Sequence, residues 1–374
     1  LPLLGEDFRV GAGAAMTSMS AATIGMAVGL LGSGTLSDRI GRTQLMRWSL
    51  VLAAALGVLV ALAPTWPGLL GLRAAQGMAL SFYPAAAAAY LREEVDRDSH
   101  ARISGLYIGG TAIGGMLGRL VAGLGAGLGG EYGGWRSGLA CVAVLSATGA
   151  AAGWALLPAS RGFTPVLAAT APSLRRRTGQ LFRDPALVTL WLVGGLVMGT
   201  FTAVFNAVGY RLTAAPYRLS VAVVGFVFLV YAVGSLASAL AGRAAGRWGR
   251  ARVAPVGAAL LVLGIWVTAG RPLPLVIAGL VVVSCGFFVV HGVVSGWVAA
   301  LAQPYRATGQ ASAVYLVVYY VGSSVCGPQA GRAWSSAGWD GVALLTGGLS
   351  VATLLLTVGL AVTRSHSDPD LRSR

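Results

Sequence analysis

Gly34-Thr35-Leu36-Ser37-Asp38-Arg39-Ile40-Gly41-Arg42 sets three charges and two glycines between two long apolar runs. Glycine permits a tight reversal and close helix approach. The acid and the two arginines can pair with each other and with the end of a facing helix. A short polar loop on the cytoplasmic side would carry arginines in any membrane protein, so the charge alone decides little. The pattern G-x-x-x-D-R-x-G-R is more specific, and the chain holds it twice. Gly242-Arg243-Ala244-Ala245-Gly246-Arg247-Trp248-Gly249-Arg250 follows 208 residues later. Gly34, Arg39, Gly41 and Arg42 match Gly242, Arg247, Gly249 and Arg250, while Gly246 replaces Asp38.

Two further matches keep the same order. Ser104-Gly105 parallels Thr308-Gly309, and Gly134-Trp135 parallels Gly338-Trp339, each 204 residues apart. A nearly constant offset marks an internal repeat.

Composition places that repeat in a membrane. Mean hydropathy is +0.75, and only 10% of the 374 residues are charged, which belongs to a bilayer protein rather than a soluble one. The 55 glycines sit within apolar runs, where small residues let membrane helices approach. The net charge of +15 is not a nucleic-acid signal. All 27 basic residues are arginine; 19 fall in the segments assigned to the cytoplasm and six in external ones, as the positive-inside rule requires. Cys141, Cys285 and Cys326 lie in apolar segments without metal-ligand spacing and read as packing residues. No phosphate loop, nucleophile context or histidine cluster is visible, so neither an enzyme nor a cofactor or metal is expected.

A spanning helix needs about 20 apolar residues, and polar breaks leave eleven such segments. Five precede Pro158–Asp184, the longest polar stretch, which contains Arg175-Arg176-Arg177. Six follow it. The chain begins at Leu1 without Met and reads as N-terminally truncated.

The doubled charged pattern resembles the signature between the second and third helices of major facilitator superfamily transporters. The resemblance covers nearly the whole chain and implies an all-α integral membrane protein of two pseudo-symmetric six-helix bundles, with 11 of 12 transmembrane helices present. The domains are then an N-terminal bundle at 1–157, a central cytoplasmic loop at 158–185, a C-terminal bundle at 186–363 and a tail at 364–374. In the family the motif's acid meets the start of the eleventh helix and helps hold the cytoplasmic side closed. That makes Gly34, Asp38, Arg39, Gly41 and Arg42, with Gly242, Arg247, Gly249 and Arg250, a conformational gate.

Other stretches carry the expected transport chemistry. Arg73-Ala74-Ala75-Gln76-Gly77 is similar to the R-x-x-Q-G motif of proton-coupled members, where the arginine binds substrate or influences proton transfer. An intramembrane arginine otherwise snorkels outward. Gly110, Gly114 and Gly118 lie in a stretch that resembles the glycine-rich packing motif of antiporters, although Gly115 replaces its proline and Arg119 its last glycine. Gly327, Pro328 and Gly331 form a looser second copy. Arg73 and Arg119 at one depth point to an anionic or polyhydroxylated substrate, unless Glu6, Asp7 or Glu131 neutralises Arg119. Gln76, Tyr83, Thr202, Asn206, Tyr315 and Tyr319 line a cavity or pack between helices. No acid lies deep in a span, so a coupling carboxylate would have to lie on the missing first helix; within this chain His291 and Arg73 are the proton-coupling candidates, and a lone histidine is also a common packing residue.

The implied function is proton-coupled efflux of a drug, sugar or metabolite by a monomer in the bacterial inner membrane, with no nucleic-acid partner. Uptake by symport or uniport is the alternative, as is a non-transporting receptor or scaffold.

Overall fold

A computed structural model describes residues 1–161 and 178–367, with the backbone alone at 92, 97–102, 104–105, 108, 130–133 and 364–367. Arg175–Arg177 and the end of the tail lie outside the described residues. The elements are α1 (Pro2–Asp7), α2 (Ala12–Ile40), α3 (Arg42–Ala61), α4 (Trp66–Glu94), α5 (Arg97–Leu128), α6 (Gly130–Leu156), α7 (Pro185–Thr213) and α8 (Val221–Phe226). A 3-10 turn at Val227–Leu229 leads to α9 (Val230–Trp248), α10 (Arg250–Thr268), α11 (Leu273–Leu301) and α12 (Thr308–Ser367). No strand occurs among the described residues.

The opening motif is less of a loop than its composition predicts. Helix α2 continues through Ser37, Asp38 and Arg39 to Ile40, and the reversal falls on Gly41 alone, at φ 100°. The second copy does the same at Gly249, at φ 87°. A side chain at either position would be strained.

The Gly-Trp pairs show a matching device. Gly134 (φ 38°) and Gly338 (φ 58°) each break a helix, and the tryptophan that follows turns inward. Trp135 and Trp339 are equally buried. Trp135 donates to Asp7 at 2.8 Å and Trp339 to Thr268 at 3.3 Å.

Nine stretches among the described residues are long and apolar enough to cross a membrane, against eleven expected segments. Two features account for the difference. Thr308–Thr363 counts once but is divided at Ala337 and Gly338. Helix α4, at 29 residues, is about 43 Å long, yet Arg73, Gln76, Pro84 and its glycines and tyrosines dilute its hydropathy.

The chain forms two compact units, Leu1–Ala169 with Gly209–Leu229, and Thr170–Val208 with Val230–Arg374. In the first, α2 and α4 cross so closely that a Cβ at Gly25 or Gly77 would strike the carbonyl oxygen of Ala74 or Ala22. In the second, Gly322 of α12 meets the Gly195 carbonyl of α7 in the same way. Such contacts replace the hydrophobic drive that lipid cannot supply between helices.

Candidate functional site

The charged motif builds a cluster within the first unit. Arg42, only 8% exposed, donates from Nη1 to Asp38 at 2.6 Å and to Ser37 at 2.9 Å. Its Nη2 reaches Glu93 Oε1 at 2.9 Å, and Nε lies 3.2 Å from both Glu93 oxygens. One guanidinium therefore ties the end of α2 to the end of α4 in the planar geometry arginine favours. Glu93 was not among the expected gate residues. The second copy offers a sequence signal for it: Gly246 has lost the acid of Asp38, and Trp297–Leu301, opposite Glu93 in the repeat, contains no acid either. There Arg250 is exposed, and Arg247 lies 5.8 Å from the Trp248 ring.

The three parts of Arg73-x-x-Gln76-Gly77 serve different neighbours. Half-buried Arg73 donates to Gln76 Oε1 at 3.1 Å and to the Met19 thioether at 3.3 Å. Gln76 donates onward to the Ala53 carbonyl of α3 at 3.2 Å, so both ends of its amide are engaged. Gly77 provides the close approach to α2. Arg119 is within electrostatic reach of Arg73, and it faces the Phe228 ring at 5.2 Å. Asp7, one of its expected neutralisers, instead pairs with Arg136 at 2.7 Å; the Glu131 side chain is outside the described set. Tyr83 stacks on Tyr107 at 6.4 Å, and both pack against the cluster of Leu45, Met46, Ala86 and Ala87.

The glycines of α5 divide by position. A Cβ at Gly110, Gly114 or Gly118 meets no described atom within 4 Å, whereas Gly123 and Gly127 face Gly225 and Ala222 at contact distance. In the second copy, Gly327 and Gly331 are buried and Pro328 is half-buried.

The second unit gathers the other candidates. His291 Nδ1 lies 2.9 Å from the Tyr315 hydroxyl. The imidazole is parallel to Phe287, with centroids 5.8 Å apart, and 4.9 Å from Tyr319. Phe201 stacks on Phe287 at 3.8 Å and meets Tyr231 at a tilt, 5.0 Å between centroids. Thr202 shares a 2.9 Å hydrogen bond with Ser323. Asn206 is buried, and its Nδ2 has no partner among the described residues. Phe201, Tyr231 and Phe287 escaped sequence reading, unlike His291, Tyr315 and Tyr319, because an aromatic in a span is equally at home in packing.

The profile of the Major Facilitator Superfamily matches residues 1–216, more than half of the chain. The chain belongs to the major facilitator superfamily. Inner membrane transport protein YnfM of Escherichia coli (strain K12) is 38% identical over 98% of this chain and 85% of its own length. The MFS-type transporter YybF of Bacillus subtilis (strain 168) is 36% identical over 100% and 91%. The solved structure of a bacterial homologue of the human lysosomal transporter Spinster superposes with a TM-score of 0.74. It covers 98% of this chain and 92% of that one at 15% identity, a likeness of fold alone. This major facilitator protein is thus an all-helical, multi-pass membrane transporter.

Proposed function

We propose that this major facilitator protein is a secondary active transporter that moves a small molecule out of a bacterial cell across the inner membrane. Inward proton flow drives it, through alternating access of the two bundles. The His291–Tyr315 pair carries the reading. An ionisable group on a spanning helix is expensive to keep and points to an ion or proton pathway. With Nδ1 unprotonated, His291 accepts the Tyr315 hydroxyl proton; as an imidazolium it donates from Nδ1 instead. Gain of a proton therefore reverses that hydrogen bond, and the faces of Phe287 and Tyr319 stabilise the cation. The Arg73–Arg119 pair is the group assigned to the substrate.

Efflux follows from the likeness of Gly110–Arg119 to the antiporter stretch. Gly115, in place of its proline, is the feature that favours the second reading, uptake by symport. Proteoliposomes with an imposed pH gradient test both. Antiport moves substrate against the proton flow and symport with it, and His291→Gln removes the coupling in either case.

A further inference from the structure

Arg47 and Trp48 on α3 and Trp154 on α6 take no part in the charged cluster or the intramembrane polar groups. The two tryptophans meet edge to face, 5.4 Å apart at 84°, and are 52% and 40% exposed. Arg47 lies over the Trp154 ring at 5.6 Å and donates from Nη2 to the Leu157 carbonyl at 2.7 Å, just past the end of α6. A guanidinium has five donors. Leu157 takes one, and the Nε donor is buried without a partner among the described residues. Among the described residues no carboxylate pairs with Arg47: Asp38 and Glu93 are engaged by Arg42, and Glu94 accepts the Ser160 hydroxyl and the Arg161 amide.

The surroundings say what covers this group. Leu52 (50% exposed) continues the outward face of α3 away from the charged end, and Leu156 (78% exposed) adds to that of α6. Arg47 sits about 7 Å along α3 from its start at Arg42, at the arginine-rich end of the bundle. Exposed Arg39 and Arg161 lie near the same helix ends. Tryptophan favours the headgroup level of a bilayer, and basic groups there attract anionic headgroups.

We propose that Arg47, Trp48 and Trp154 form a binding site for an anionic phospholipid. The lipid phosphate meets the Arg47 guanidinium, the indoles flank the glycerol region, and the acyl chains lie along the Leu52 face. This inference depends on the bilayer setting and not on proton coupling or substrate.

The wild type, Arg47→Gln, Arg47→Lys, Trp154→Leu and Arg136→Gln are reconstituted in nanodiscs of phosphatidylcholine with increasing phosphatidylglycerol. Phosphatidylglycerol retained after detergent extraction is measured by mass spectrometry, and the Tm is followed in each mixture. The site predicts about fivefold weaker retention in Arg47→Gln, intermediate values in Arg47→Lys and Trp154→Leu, and wild-type retention in Arg136→Gln. The phosphatidylglycerol-dependent rise in Tm disappears with Arg47. Wild-type retention by Arg47→Gln, with a Tm equally lowered in both lipids, would make Arg47 only a cap for α6 and overturn the proposal. Full reproduction of the Tm rise by inorganic phosphate would overturn it too, in favour of a soluble anion. If Arg47→Gln does not fold, the Lys and Trp154 variants decide by the same two readouts.

Discussion

Arg42 and Glu93, 51 residues apart, join α3 to the end of α4 through hydrogen bonds of 2.9 and 3.2 Å, and the same guanidinium holds Asp38 on α2. A buried cation that loses one carboxylate keeps its desolvation cost and half of its compensation. The Arg42 side chain is 10% exposed but Glu93 is 28% exposed, so solvent softens the loss. Glu93→Gln should destabilise the first unit by about 1–2 kcal/mol. Arg42→Gln should cost about as much, because it strands both acids. Thermal unfolding in detergent, with the Arg42→Gln/Glu93→Gln pair as a double-mutant cycle, should return a coupling well above zero.

Asp38 is more exposed than Arg42, and its second-copy counterpart is a glycine with open space around it. Asp38→Asn should therefore lower the Tm less than Glu93→Gln does, while slowing transport several-fold. Gly246→Asp should alter neither by much. Initial rates in proteoliposomes for the two variants check this; equal rates in both would remove the gate role from the first copy.

The glycine of the R-x-x-Q-G stretch is predicted to be the least replaceable residue in it. A Cβ at Gly77 would overlap the Ala22 backbone, which cannot move aside as a flexible side chain can. Gly77→Ala should sharply lower the yield of folded protein. Gly71→Ala, on the same helix but facing open space, should be neutral or stabilise by up to about 1 kcal/mol. Fluorescence-detected size-exclusion profiles distinguish the two.

Much of this was legible in the chain before any coordinates. The offset between Gly41 and Gly249 and between Gly134 and Gly338 announced a duplication, and the backbone repeats it as positive φ at all four glycines. The charged residues of the two motif copies fall at helix ends, with α2 ending at Ile40 and α9 at Trp248. What stayed hidden is long-range partnership. Arg42 could have answered to Asp38 alone, since i,i+4 pairing is local, whereas Glu93 becomes its neighbour only once α4 is packed. For the same reason the Ala53 carbonyl of α3, which accepts from the Gln76 amide, was not legible as its partner. The reversal at Gly41 was placed too broadly, because polar residues at a helix end look like a loop.

Asp7 lies outside the spans and offers a pH test. The Trp135 indole N–H, then Arg136, hold its carboxyl below the usual 3.8. A depressed carboxyl contributes stability above its unfolded pKa, and that contribution fades as pH falls through the lower folded value. The Tm should therefore drop below about pH 4 more steeply in the wild type than in Asp7→Asn. The variant should already be slightly less stable at pH 6. The effect should be small, since both members of the Asp7–Arg136 pair are nearly half exposed.

Proton coupling through His291 is the proposal most directly open to measurement. The direct measurement is proton flux, read by a pH-sensitive dye inside proteoliposomes, as sugars, organic acids, amino acids and cationic dyes are offered in turn. For at least one compound, downhill movement through the wild type should drive protons the opposite way, and His291→Gln should move that compound with no accompanying proton flux. Full coupling in His291→Gln, or no compound that moves protons through the wild type, would contradict it.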